Sequence, residues 1–107
     1  MNDDDAKRSR PFRRLVDSLT TGNLWLYVLS LMRKGKVYAY ALPESIEKKY
    51  RFRPNRVMIY VVLYKLEAEG LIASAFEERR KYYHLTKKGT DSLARGKRYL
   101  ASLSKRL

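Results

Sequence analysis

The side chains best equipped for chemistry in this sequence are cations, and they gather on both sides of one apolar run. They are Arg51, Arg53 and Arg56 before the run, and Arg79, Arg80 and Lys81 after it. Guanidinium and ammonium groups in such clusters bind phosphate oxygens. The sequence has no cysteine and a single histidine, His84, which we interpret as a solvated strand residue. We therefore predict no enzymatic activity, no catalytic or metal site and no cofactor.

The net charge of +13 over 107 residues predicts a polyanionic partner, because a cationic protein releases counterions when it binds nucleic acid. The charge is uneven: residues 33–56 carry +6 and residues 79–107 carry +9. At this length we expect one domain. No apolar run approaches the length of a membrane span, and the start Met-Asn-Asp-Asp-Asp does not resemble a signal peptide. We expect a cytoplasmic, nucleoid-associated protein with no membrane partner.

The apolar run between the cations predicts a helix over residues 54–70. Pro54 and Asn55 form a start signal, and Gly70 supplies the stop. Helical spacing predicts an inward stripe that consists of Ile59, Val62, Leu63 and Leu66. This helix is the element that must present the flanking cations to a partner.

The other elements predict what surrounds this helix. A cluster at 20–23 starts a helix over 24–32, and a second helix ends near Tyr50. Segments 71–76 and 81–85 alternate like strands of a hairpin, and Thr86 caps a last helix. The predicted order is three helices, a hairpin and a last helix. This order predicts a mainly α fold with a small β-hairpin, the winged helix-turn-helix, followed by a C-terminal dimerisation helix.

We predict three regions: a flexible acidic and basic arm over 1–14, a winged helix-turn-helix DNA-binding domain over 15–86 and a dimerisation helix over 87–107. The arm is interpreted either as a phosphate or minor-groove contact or as a solvated tail. Its cations are Arg8, Arg10, Arg13 and Arg14. The last helix carries an apolar stripe that predicts a homodimer interface, formed by Leu93, Leu100, Leu103 and Leu107.

Three segments together resemble the PadR family of prokaryotic transcriptional regulators. Residues 38–42 (Tyr-Ala-Tyr-Ala-Leu) are similar to that family's Tyr/His-Gly-Tyr-Glu-Ile segment. Residues 59–72 resemble its Leu-Tyr-Pro-x-Leu-x-x-Leu-Glu-x-x-Gly-Leu-Ile stretch, and residues 80–89 resemble its Arg-Arg-Tyr-Tyr-x-Leu-Thr-x-x-Gly. The resemblance covers about residues 22–92. It implies a homodimer joined through terminal helices that binds a two-fold promoter site and usually represses.

The sequence departs from the family pattern at positions that bear on DNA reading. Ala39 replaces a glycine, and Pro43 lies where the second helix should continue, which predicts a shifted or kinked start. Val57 and Met58 stand where the family has Gly-Thr, and Val61 replaces its proline. Sequence preference therefore does not transfer from the family.

We predict DNA contacts from polar groups on the helix and on the hairpin. Arg56 is the first candidate for a guanine contact, and Asn55 is interpreted as a base contact or, more often at such a position, a helix cap. Tyr60 either bonds a phosphate or packs on the wing. The full predicted set is Arg53, Asn55, Arg56, Tyr60, Tyr64, Lys65, Arg79, Arg80 and Lys81.

These observations favour a sequence-specific regulator of transcription that binds double-stranded DNA, represses and acts as a homodimer. The alternative is an architectural, nucleoid-associated protein that coats DNA with low sequence specificity, which the apolar outer face of the 54–70 helix favours. The aromatic residues Trp25, Tyr27, Tyr38 and Tyr40 are consistent both with a filled core and with an apolar effector pocket.

Overall fold

The computed structural model describes residues 9–107. It confirms the mainly helical winged helix-turn-helix with a small antiparallel sheet. The helices are α1 (Arg10–Leu19), α2 (Leu24–Leu31), α3 (Leu42–Tyr50), α4 (Arg56–Ala68) and α5 (Lys87–Arg106). The strands are β1 (Val37–Tyr38), β2 (Ile72–Glu77) and β3 (Arg80–Leu85). Across residues 9–107, no helix combines the length and apolar character that a membrane crossing requires.

The sheet contains a strand that the sequence did not predict. β2 and β3 form the wing, an antiparallel hairpin in which Ile72 is opposite Leu85 and Glu77 is opposite Arg80. β1 pairs with the outer edge of β3, so that Tyr38 is opposite Tyr82 and the strand order is β1-β3-β2. The third strand fixes the wing to the segment that precedes α3.

The core lies between α2, α3, α4 and the inner face of the wing. Ile59, Leu63 and Leu66 of α4 are buried as predicted, and Tyr83 enters the core from β3. Side chains of α2 and α3 complete the same cluster, with Val28, Leu29 and Ile46 fully enclosed. One face of α4 is therefore held by packing, while the opposite face is left outward.

Local signals place the ends of α4 and α5. The Asn55 Oδ1 accepts hydrogen bonds from the amides of Val57 (2.7 Å) and Met58 (3.4 Å), which satisfies donors left free by the first turn. Gly70 takes a positive φ of 77° just after the helix. The amide of Gly89 donates to the Thr86 Oγ1 at 3.1 Å and so caps α5. The predicted signals at Asn55, Gly70 and Thr86 are confirmed, whereas Pro54 lies before the cap and α4 is shorter than the 54–70 prediction.

The chain before α2 differs from the predicted arm. Residues 1–8 lie outside the described residues, but from Arg10 onward the chain is helical. Ser9 caps α1 through a hydrogen bond from the Phe12 amide, and Pro11 occupies the first turn, where a missing amide proton costs nothing. Pro11 is therefore compatible with the start of this helix.

Two glycines seat the first half of α5 against the body. A Cβ on Gly89 would lie 1.9 Å from the carbonyl oxygen of Leu71, and one on Gly96 would lie 2.9 Å from the Trp25 ring. Between them Leu93 is buried in the core of its own chain. We therefore correct the assignment of Leu93 from the dimer face to the core.

Candidate nucleic-acid interface

The outward face of α4 is a stripe of exposed apolar side chains. Val57, Val61 and Tyr64 follow one another at helical spacing and are 70 %, 46 % and 77 % exposed. They lie opposite the buried stripe of Ile59, Leu63 and Leu66. We call Val57, Val61 and Tyr64 the outward stripe.

Polar residues at the start of α4 are already engaged within the chain. Asn55 caps the helix, so that its side-chain oxygen is occupied by backbone amides. The Arg53 guanidinium forms an ion pair with Glu47 at 3.1 Å at the surface, an interaction that solvent weakens. Arg53 therefore offers a phosphate less net charge than its type suggests.

Arg56, the predicted guanine reader, is held by Tyr40. Its guanidinium carbon lies 3.9 Å from the centroid of the Tyr40 ring, and its Nη1 donates a 2.7 Å hydrogen bond to the Tyr40 carbonyl oxygen. The cation–π contact and the hydrogen bond act on the same group and fix its direction. In this arrangement Arg56 is a residue that joins α4 to the segment before α3.

The contact between Arg56 and Tyr40 continues into the wing. The rings of Tyr40 and Tyr38 stack at 6.1 Å between centroids, and Tyr38 meets Tyr82 at 5.8 Å. Cations also lie over the other two rings: Arg80 lies 5.1 Å from the Tyr38 centroid and Lys36 lies 5.2 Å from the Tyr82 centroid. Lys36 also forms an ion pair with Glu77 of β2. This aromatic–cation cluster consists of Lys36, Tyr38, Tyr40, Arg56, Arg80 and Tyr82.

The sequence reasoning missed this cluster because it interpreted Tyr38 and Tyr40 as core or pocket residues. Tyr40 is in fact 57 % exposed, and Tyr38 is half-buried at the sheet edge. The alternation of Arg80 and Tyr82 along β3 could have pointed to the cluster, but only if β1 had been recognised as their partner strand.

The wing tip presents Arg79 in a two-residue turn. Glu78 and Arg79 both have positive φ, 49° and 70°, which matches the turn that closes twisted hairpins. Arg79 and Arg80 are exposed, whereas Lys81 is half-buried with its ammonium 5.3 Å from the Tyr83 ring centroid. The tip therefore carries a free-standing cation on a short, rigid turn.

The remaining predicted contacts are spread more widely. Tyr60 is 44 % exposed on the flank of the outward stripe, and Lys65 is exposed beside it. Arg10, Arg13 and Arg14 lie on α1 and are exposed. Arg8 lies outside the described residues. The structure brings together Arg56 and Arg80 through the tyrosines, and it does not place the α1 cations in that cluster.

We also searched residues 9–107 for side chains that could bind a metal ion. No set of three histidine, cysteine or acidic side chains there could hold a metal ion. Tyr27 packs edge-on against Tyr50 and Phe52 at 4.8 and 4.9 Å. Burial raises the pKa of the Tyr27 hydroxyl, and the neighbouring Tyr50 adds to the rise. This tyrosine fills space beside the core and donates to the Leu19 carbonyl oxygen.

The helices α2, α3 and α4 are followed by a wing, and α4 faces outward. This arrangement defines a winged helix-turn-helix DNA-binding domain. The sequence matches the model of the transcriptional regulator PadR-like family over residues 28–95. This chain belongs to that family and is a DNA-binding transcriptional regulator. A comparison with curated protein sequences found no match.

Solved structures show the same fold. A PadR family transcriptional regulator from Eggerthella lenta is 28 % identical with a TM-score of 0.74, and the match covers 91 % of this chain and 92 % of that one. A PadR family regulator from Clostridium difficile is 26 % identical with a TM-score of 0.72, covering 78 % and 93 %. A PadR-like regulator from Bacillus cereus is 28 % identical with a TM-score of 0.69, covering 79 % and 87 %.

Proposed function

We propose that the protein is a homodimeric, sequence-specific repressor that acts in the cytoplasm on a two-fold symmetric site in double-stranded DNA. The observation that carries this proposal is the outward face of α4, which is exposed along its length and lies between the cations of the helix start and those of the wing. A helix of this kind enters the major groove, while the wing cations meet the backbone.

The dimer is supported by apolar surface that the described part of the chain leaves uncovered. On the second half of α5, Leu100 is 37 % exposed, Leu103 is 41 % exposed and Leu107 is almost fully exposed. On α1, Phe12, Leu15 and Leu19 are also exposed. A stripe of leucines at helical spacing is stabilised when a second subunit covers it.

The dimer is tested by placing a charge in that stripe. Leu100→Glu should yield monomers in sedimentation analysis, because a carboxylate cannot be buried against leucines without a large desolvation cost. Ser102→Glu adds the same charge on the opposite side of α5 and serves as the matched control. An unchanged mass for Leu100→Glu would remove this helix from the interface.

The repressor role follows from where the proposed dimer would bind. A protein that occupies a promoter site excludes the transcription machinery from that site, so binding is sufficient to block transcription.

A footprint on the DNA upstream of the protein's own gene, compared with random DNA at the same salt concentration, tests the proposal. We expect a protected two-fold site at a protein concentration that leaves random DNA unprotected. Uniform protection of both at similar concentration would instead assign the protein the architectural, DNA-coating role.

A further inference from the structure

We infer that the outward stripe of α4 reads thymine, through contact between the Val57 and Val61 methyl groups and the C5 methyl of the base in the major groove. This inference rests on the proposed function, since it names the base edge that the proposed sequence-specific helix recognises. Val57 and Val61 have no side-chain hydrogen-bonding group, so they are absent from the predicted set of DNA contacts.

The exposure of the two valines carries the first step. Val57 and Val61 are one helical turn apart on the same face, and both present their methyl groups to solvent rather than to the core. Folding of the chain does not require apolar residues there, because Ile59, Leu63 and Leu66 supply the buried face. Exposed valines on a DNA-facing helix are therefore available for contact with an external partner.

The chemistry of the major groove selects that occupant. The thymine C5 methyl is the apolar group that a base edge presents there, while guanine presents two acceptors and cytosine a donor. A valine can pair with none of those polar groups, and covering them would leave them unsatisfied. Contact with thymine methyls buries apolar surface on both partners.

The surrounding charges favour DNA over a protein as the occupant. Lys65 is exposed on the flank of the stripe, and Arg79 stands at the wing tip. Cations beside the apolar outward stripe match DNA, in which phosphates border the thymine methyl groups of the major groove. The ring of Tyr64, which continues the strip by one more turn, lengthens the same surface.

The test compares thymine with deoxyuridine, which lacks only the C5 methyl. Duplexes that bind the full-length protein are first selected from a random 30-base-pair pool at fixed salt. The enriched duplex is then made in two forms, one with thymine and one with uracil. We expect roughly fourfold weaker binding for each buried methyl lost, from the usual transfer free energy of such a group.

Two variants separate methyl contact from an altered DNA shape. Val57→Ala combined with Val61→Ala should reduce the thymine-to-uracil affinity ratio toward one. Val62→Ala makes the same change on the inward side of the same helix, about 140° from Val57, and should leave the ratio unchanged. A wild-type protein that binds both duplexes equally, or a double variant that keeps the full ratio, would overturn the inference.

Failure of the inference is distinguishable from failure of the proposed function. Enrichment of a sequence without a thymine-to-uracil difference overturns only the thymine contact. If no sequence is enriched, the proposed sequence-specific role fails, and the thymine preference fails with it. A second apolar partner for the stripe, such as another protein, is the interpretation that equal binding would favour.

Discussion

The outward stripe and the aromatic–cation cluster adjoin the same helix, yet they are prepared for a partner in opposite ways. Val57, Val61 and Tyr64 are exposed and lie outside the core. By contrast, Arg56 and Arg80 rest on tyrosine rings whose positions are fixed by β1 and by one another. The cluster orders its cations before DNA arrives, so their side-chain entropy is lost during folding.

The comparison suggests a division of labour between affinity and selectivity. Long-range attraction to phosphates comes from cations and depends on salt. Contact with base edges depends on shape and is short in range. We expect the cluster and wing to set how tightly DNA is held, and the stripe to set which DNA is preferred.

The largest expected effect is the salt dependence of binding. If a dimer neutralises about 8 phosphates, the slope of log affinity against log salt should be roughly −7, which is a loss of about 10⁴-fold between 50 and 200 mM salt. Fluorescence anisotropy with a labelled duplex measures it. A slope shallower than about −3 would contradict this division, because the stripe would then carry most of the affinity.

Arg56→Ala tests whether the cluster is structural. The variant loses a cation–π contact and a hydrogen bond, so the free energy of unfolding should fall by about 1–2 kcal/mol in a urea titration. Arg56→Lys keeps the charge but not the guanidinium geometry and should lose less. Unchanged stability together with a relaxed base preference would return Arg56 to the role of guanine reader.

Substitutions in the turn at the wing tip should affect protein stability and DNA binding differently. Arg79→Gly should raise the free energy of unfolding by about 1 kcal/mol, because glycine tolerates the positive φ of 70°. The same change should weaken DNA binding through loss of a cation. Glu78→Gly relieves the same conformation at φ 49° without removing a cation, so it should stabilise the protein and leave binding at least as tight.

The smallest expected effect is on the stability of stripe variants. Val57→Ala and Val61→Ala should each change the free energy of unfolding by less than about 0.5 kcal/mol, because both side chains are exposed and neither belongs to the core. Ile59→Val on the buried face is the control and should cost about 0.5–1.5 kcal/mol. A larger loss at Val57 or Val61 would show that the stripe has a partner within the chain.

Sequence was informative wherever one residue type settles a local conformation. Asn55, Gly70 and Thr86 marked helix ends through backbone hydrogen bonds that need only neighbours in the chain. The inward stripe of α4 followed from helical periodicity alone. These features depend on contacts of short sequence separation, so a linear pattern contains them.

The missed features depend on partners far along the chain. β1 is two residues long and exists because β3 pairs with it, so its own sequence carries no strand pattern. Tyr40 belongs to the aromatic–cation cluster through its contact with Arg56, sixteen residues later. Leu93 fitted the stripe of α5 by spacing, but Gly89 and Gly96 bring that half of the helix onto the body and bury it.

Gly89 and Gly96 also fix the first half of α5 on the body, so that the second half projects from a fixed point. From Gly96 the helix runs on for about 16 Å to Leu107, so a 10° change in its direction moves its end by about 3 Å. In the proposed dimer that displacement would alter the distance between the two copies of α4. In that dimer, the close packing of Gly96 on Trp25 would therefore set the spacing between half-sites from a point remote from any base.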